Sequence, residues 1–139
     1  MRHNLILRFI SKFLIPVIVL FALYVQFHGD FGPGGGFQAG VIFSVAFILY
    51  TLVFGLTTAE RVLPSSVLRI FASLGVLIYA GTGFATLLLG GSFLNYSVLA
   101  DNPTAGQHIG ILVIELGVGI TVASVMLIIF FAFAGREQN

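Results

Sequence analysis

A chain of 139 residues, of which 58% are hydrophobic and only 8% are charged, has too little polar surface to stay in solution as a globule. Soluble domains carry roughly 25% charged residues. The net charge of +1, from six basic and five acidic residues, argues against nucleic-acid binding, which needs a basic face. The sequence has no cysteine, which excludes a disulfide framework, thiol chemistry and a Cys-based metal site. The composition therefore predicts an integral membrane protein.

Four apolar segments are long enough to cross a bilayer, whose ~30 Å hydrocarbon core takes about 20 residues of helix. They are residues 10–27, 37–56, 70–89 and 109–133. Small residues four apart, such as Gly81 and Ala85 or Gly119 and Ala123, predict that these helices approach a neighbouring helix closely in lipid. We expect an all-α membrane protein with one domain, residues 1–139, of four transmembrane helices.

The basic residues predict the orientation of the chain, because cytoplasmic loops carry an excess of Lys and Arg. All six fall on one side of the four segments: Arg2, Arg8, Lys12, Arg61, Arg69 and Arg136. Both termini are therefore expected to be cytoplasmic. The link between the first two segments and the loop of residues 91–107 are expected on the opposite side.

The link between the first two segments is rich in glycine. Residues 29–40 include six glycines and one proline, and glycine permits backbone conformations and close contacts that other residues do not. A phosphate-binding loop would need Gly-Lys-Ser/Thr, but Gly36 is followed by Phe37 and Gln38. We expect an irregular connector that leads into the second helix, with Gln38 either an ordinary helix-end residue or the lining of a cavity.

Glu115 is the residue least expected in its surroundings, because it lies six residues into the last apolar segment. A carboxylate at that depth requires a proton, water, a cation, a hydrogen-bonding group or a base from another subunit. His108, seven residues earlier, falls on nearly the same helical face, and the pair would suit an entrance for protons or cations. The alternatives are a neutral Glu115 hydrogen-bonded between helices and a His108 that is an ordinary surface residue.

The sequence contains no catalytic arrangement and no metal-ligand cluster, so we predict neither an enzyme nor a cofactor.

These residues resemble one family. One pattern lies between the first two spans and consists of Gly29, Pro33, Gly34, Gly35, Gly36, Phe37 and Gly40. It is similar to the pattern in the B subunit of Mrp-type multisubunit cation/proton antiporters (the MnhB-like family). The residues Glu115-Leu116-Gly117 also agree with the last span of that family. The resemblance implies a non-catalytic subunit of a complex in the inner (cytoplasmic) membrane that exchanges Na⁺ for H⁺. Its partners would be the other antiporter subunits and the lipid bilayer. Glu115 and His108 are the candidates for the ion or proton pathway, and the glycine motif is the candidate for subunit contact.

Two other interpretations remain open on the sequence. Related modules serve sodium translocation in membrane-bound hydrogenase-like respiratory complexes, and the chain could be such a module. It could also be a structural scaffold that contacts partners and handles no ion.

Overall fold

The computed structural model describes residues 4–29, 31 and 34–136, and this part of the chain is helical and contains no strand. Its α-helices are α1 (Leu5–His28), α2 (Gly36–Phe54), α3 (Leu56–Val62), α4 (Ser65–Leu88) and α5 (Pro103–Arg136). One turn of 3-10 helix, Tyr96–Leu99, lies between α4 and α5. The helices α1, α2, α4 and α5 are each long and apolar enough to span a membrane, which confirms the prediction of four such helices.

The outer surface of the long helices is apolar. Phe13 and Leu20 of α1 and Leu88 of α4 expose 66%, 65% and 89% of their surface. Large exposed apolar areas are unfavourable in water but are solvated by lipid chains, and a helix satisfies its own backbone groups there. The surface therefore agrees with the composition in defining a membrane-embedded chain.

Three long helices begin several residues before the apolar runs predict. The observed starts are Leu5, Ser65 and Pro103, against predicted starts at residues 10, 70 and 109. The start of α5 shows the reason: Asn102 Oδ1 accepts a hydrogen bond from the Thr104 N–H at 3.0 Å, and Pro103 occupies the first helical position. A helix begins at its cap, whereas an apolar run marks only the part that faces lipid.

The short helix α3 was not predicted. Gly55 separates it from α2 with a φ of +96°, a left-handed conformation that favours glycine. After this turn, α3 contributes to the buried apolar cluster that joins the helices at the end opposite the connector, made of Leu56, Ala59, Leu68, Leu127 and Phe131.

The helix α5 is central to the packing. It packs against α4 on one side and against α2 on the other, while α1 packs mainly against α2. Glycines form both crossings: Gly75 of α4 lies against Gly117, and Gly40 of α2 lies against Gly119, where an added Cβ would stand 2.7 Å from the carbonyl oxygen. Gly81, by contrast, faces open space. Among the described residues no substantial contact joins α1 to α4.

Candidate functional site

The connector between α1 and α2 folds back onto α5. The Gly35 N–H donates a hydrogen bond to the carbonyl oxygen of Val25, one turn from the end of α1, at 3.3 Å. Phe31 stacks on the imidazole of His108, with ring centroids 6.2 Å apart and planes 19° apart. Pro33 belongs to the predicted motif but lies outside the described residues, as do Asp30 and Gly32. The connector is therefore a cover on one part of α5.

Glu115 lies beneath this cover. A Cβ added to Gly29 would stand 2.9 Å from Glu115 Oε1, and one added to Gly35 would stand 3.2 Å from the same oxygen. Side-chain carbons rarely come so close, so the two glycines leave the room that the carboxylate occupies. We call Gly29, Gly35, Gly36 and Glu115 the connector site.

Gly35 and Gly36 bring the backbone of α2 to the carboxylate. Gly35 precedes the first turn of α2 with a φ of +132°, and no side chain caps this helix start. The first N–H groups of a helix have no partner within the helix, and its N-terminus carries a partial positive charge that favours nearby anions. Glu115 thus lies beside the start of α2, a relation that the sequence did not reveal.

Gly36 also sets how closely α2 and α5 cross. A Cβ at this position would overlap the backbone carbonyl oxygen of Glu115. The two helix backbones are therefore in contact at the level of the acid, and any larger residue at position 36 would separate them.

Gln38 adds a second side-chain oxygen. A Cβ on Gly35 would be 3.3 Å from Gln38 Oε1 and 3.2 Å from Glu115 Oε1, so both oxygens face the same glycine. Gln38 is otherwise exposed on the first turn of α2. Gln38 is thus an exposed residue of the first turn of α2 whose side-chain oxygen faces the connector site. Oxygen ligands of this kind suit protons and hard cations.

His108 lies farther along the same face of α5 and is exposed. Seven residues separate it from Glu115, which is about 10 Å along a helix. The connector contacts both residues, through Phe31 and through Gly29. Within the described ranges, no group of three His, Cys, Asp or Glu side chains could hold a metal ion.

The remaining motif residues divide into inner and outer positions. Gly34 lies against the carbonyl oxygen of Val25, and Gly40 lies against α5, so both serve packing within the chain. Phe37 exposes 61% of its surface and points away from the chain. Of the motif described here, Phe37 is the member placed to contact lipid or a partner.

The sequence predictions omitted Gln26, on the last turns of α1. Its side chain is only 6% exposed and lies against Gly119, where an added Cβ would stand 2.6 Å from Gln26 Oε1. The signal was present in the sequence, because a carboxamide follows the apolar residues 17–25. Such a residue close to the predicted end of a span is easily taken for an interfacial one.

The four long apolar helices define a multi-pass membrane protein. Residues 6–128 match the model of a family described as a domain related to the MnhB subunit of Na⁺/H⁺ antiporter. The chain belongs to this MnhB family, as the glycine motif and the last span indicated.

Curated relatives match nearly end to end. The protein named "Putative antiporter subunit mnhB2" of Staphylococcus aureus (strain Newman) is 33% identical over 139 residues, covering 98% of each chain. The protein of the same name from Staphylococcus haemolyticus (strain JCSC1435) is 35% identical with the same coverage.

Proposed function

We propose that this chain is a non-catalytic, membrane-embedded subunit of a multisubunit Na⁺/H⁺ antiporter and that Glu115 binds a proton or cation on the ion pathway. The family match and the names of the relatives support the first part. They also favour an antiporter over the hydrogenase-like complex that the sequence left open.

The observation that carries the second part is the room that the connector leaves for the carboxylate. Gly29 and Gly35 lie against Glu115 Oε1, and a side chain at either position would displace it. A carboxylate is expensive to keep in a membrane, and a connector built around it favours a role for its charge. The start of α2 lies beside the carboxylate, and the Gln38 oxygen adds a ligand for a cation.

His108 would act at the outer end of this path. It is exposed and lies about two helical turns before Glu115 on α5, and imidazole exchanges protons near neutral pH. We assign it proton or cation entry, and we assign Glu115 the binding step inside the membrane.

The test is Glu115→Gln in the complete complex, assayed as Na⁺/H⁺ antiport in everted membrane vesicles. Glutamine has nearly the same size as glutamate, so packing beneath the connector is retained while the charge and the exchangeable proton are lost. A hydrogen bond or ligand contact to a charged group is worth ~1.5–3 kcal/mol, so we expect antiport to fall about 10- to 100-fold.

The matched control is Glu60→Gln, which removes the exposed acid of α3 and should leave antiport unchanged. Co-purification of the other subunits checks that both variants assemble. Wild-type antiport from an assembled Glu115→Gln complex would refute ion handling by Glu115 and would leave the structural scaffold.

A further inference from the structure

A row of four aromatic rings follows one face of α2 toward the end of the molecule at which α1 begins. Phe43, Phe47, Tyr50 and Phe54 lie with successive ring centroids 6.2, 5.8 and 4.9 Å apart. All four side chains are half-buried, so each ring keeps part of its surface open. From Phe43 to Phe54 the row covers about 16 Å of helix, which is roughly half of the hydrocarbon core. We call these four residues the aromatic row.

The aromatic row ends at a guanidinium group. Arg8 of α1 lies over the Phe54 ring, with its Cζ 5.4 Å from the ring centroid. A guanidinium that stacks on a ring keeps its N–H groups in its own plane, where they can bind a phosphate through two parallel hydrogen bonds. Arg8 is exposed, and within the described ranges its side chain makes no ion pair or hydrogen bond. Its donors are therefore held in position and are available to an anion.

A second cation lies beside the first. Lys12 follows Arg8 by one helical turn on the same face of α1, and it is also exposed. Among the described residues at this end of the molecule, the acidic side chain is Glu60 of α3, which is followed directly by Arg61. The charge of Arg8 and Lys12 is therefore not offset by acids of their own helix.

The cations and the rings together fit one class of ligand. Basic side chains at the end of a membrane helix reach the level of the lipid headgroups, and the aromatic row extends from there into the hydrocarbon region. An anionic phospholipid offers a phosphate to Arg8 and Lys12 and an acyl chain to the rings. A zwitterionic phospholipid brings a headgroup cation that Lys12 repels, and a free phosphate has nothing to place on the rings.

We propose that Arg8, Lys12 and the aromatic row form a binding site for an anionic phospholipid. The phosphate contacts the two cations, and one acyl chain lies along the rings. This inference does not rest on the proposed role of Glu115, because the site lies at the end of α2 opposite the connector. Either proposal can therefore fail alone.

The first test measures lipid binding to the purified full chain by native mass spectrometry in detergent. Phosphatidylglycerol should bind about tenfold more tightly than phosphatidylcholine with the same acyl chains. Arg8→Gln should lower the affinity for phosphatidylglycerol about tenfold, because it removes the charge and the paired donors. The matched control is Arg136→Gln, which removes an exposed guanidinium that lies over Phe133 of its own helix and should leave the affinity unchanged. Equal binding of the two lipids, or equal losses in the two variants, would overturn the proposal.

A second variant tests the ring beneath the guanidinium. Phe54→Leu keeps an apolar side chain but removes the stacking surface, so it should lower the affinity for phosphatidylglycerol about two- to fivefold. The matched change is Phe84→Leu, at an exposed ring of α4, which should have no effect. The same affinity in Phe54→Leu as in wild type would refute the arrangement of Arg8 over the aromatic row as the basis of the site.

The third test examines the assembled complex in vesicles of phosphatidylcholine and phosphatidylglycerol mixed about three to one. A photo-crosslinking phenylalanine analogue replaces Leu5, which is 80% exposed and lies one turn before Arg8. The control position is Phe133, one turn before Arg136, whose charge is offset in the sequence by Glu137. Most lipid adducts at position 5 should carry phosphatidylglycerol, and those at position 133 should follow the composition of the vesicle. An adduct of position 5 with another subunit, or the same lipid composition at both positions, would overturn the proposal.

Discussion

The contact between α2 and α5 at the level of the acid makes Gly36→Ala the most informative single change. The added Cβ would overlap the Glu115 carbonyl oxygen and stand 2.8 Å from the carbonyl carbon, whereas Cβ atoms essentially never approach other heavy atoms below 3.0 Å. The obstacles are backbone atoms of a central helix, so no change of rotamer relieves the clash. The helix α2 must move away from α5 and carry the connector with it.

Overpacking of this kind costs about 1–3 kcal/mol. For a chain of this length that corresponds to a fall in Tm of roughly 3–15 °C, measured by thermal unfolding in detergent. The matched control is Gly81→Ala, also on a long helix but with nothing within 4 Å of the added Cβ. Alanine is the better helix former by about 1 kcal/mol, so the control should keep or raise the Tm. A Gly36→Ala chain as stable as wild type would refute the close crossing that we describe.

Two further changes test the backbone on this side of the molecule. Gly35→Val should impair assembly and lower antiport, because a φ of +132° costs valine about 1–3 kcal/mol and its Cβ would press on Glu115 Oε1. The control is Gly90→Val, where φ is +84° and nothing lies near the added Cβ, so that only backbone strain is introduced. Equal antiport in the two variants would contradict a specific role for position 35. The Leu94 N–H donates a hydrogen bond to the buried Thr86 Oγ1 at 2.9 Å, and it would lose this acceptor in Thr86→Val. We therefore expect Thr86→Val to destabilise the chain by about 1–3 kcal/mol and to speed hydrogen exchange at Leu94. Slow exchange at Leu94 in that variant would refute this assignment.

The transmembrane helices were predictable because lipid imposes a strong rule on each segment by itself. About 20 apolar residues in a row suffice to indicate a span, and all four predicted spans are present. The cap at Asn102 and the break at Gly55 were not predicted, because they depend on local hydrogen bonds and dihedral angles. These features leave little trace in the pattern of apolar residues. The cytoplasmic location of the termini stays a prediction from the distribution of Lys and Arg.

The candidate site was predictable in its parts but not as a unit. Glu115 was singled out by its depth and the glycines by their number, yet nothing in the sequence places residue 115 against residues 29 and 35. That contact results from the parallel packing of α2 and α5, which is a tertiary feature. Gln26 was missed for a similar reason, since only the fold reveals that its side chain turns inward to Gly119.

Gly119 lies one helical turn after Glu115 on α5, and Gln26 of α1 packs against Gly119. The connector site is therefore continuous with the close packing between helices, and a change of the acid can act through its charge or through this packing. If Glu115 handles an ion, Glu115→Gln should reduce antiport in a complex that assembles fully. If Glu115→Gln instead reduced association of the subunits, Glu115 would be a packing residue, and the scaffold would account for the chain better than ion handling.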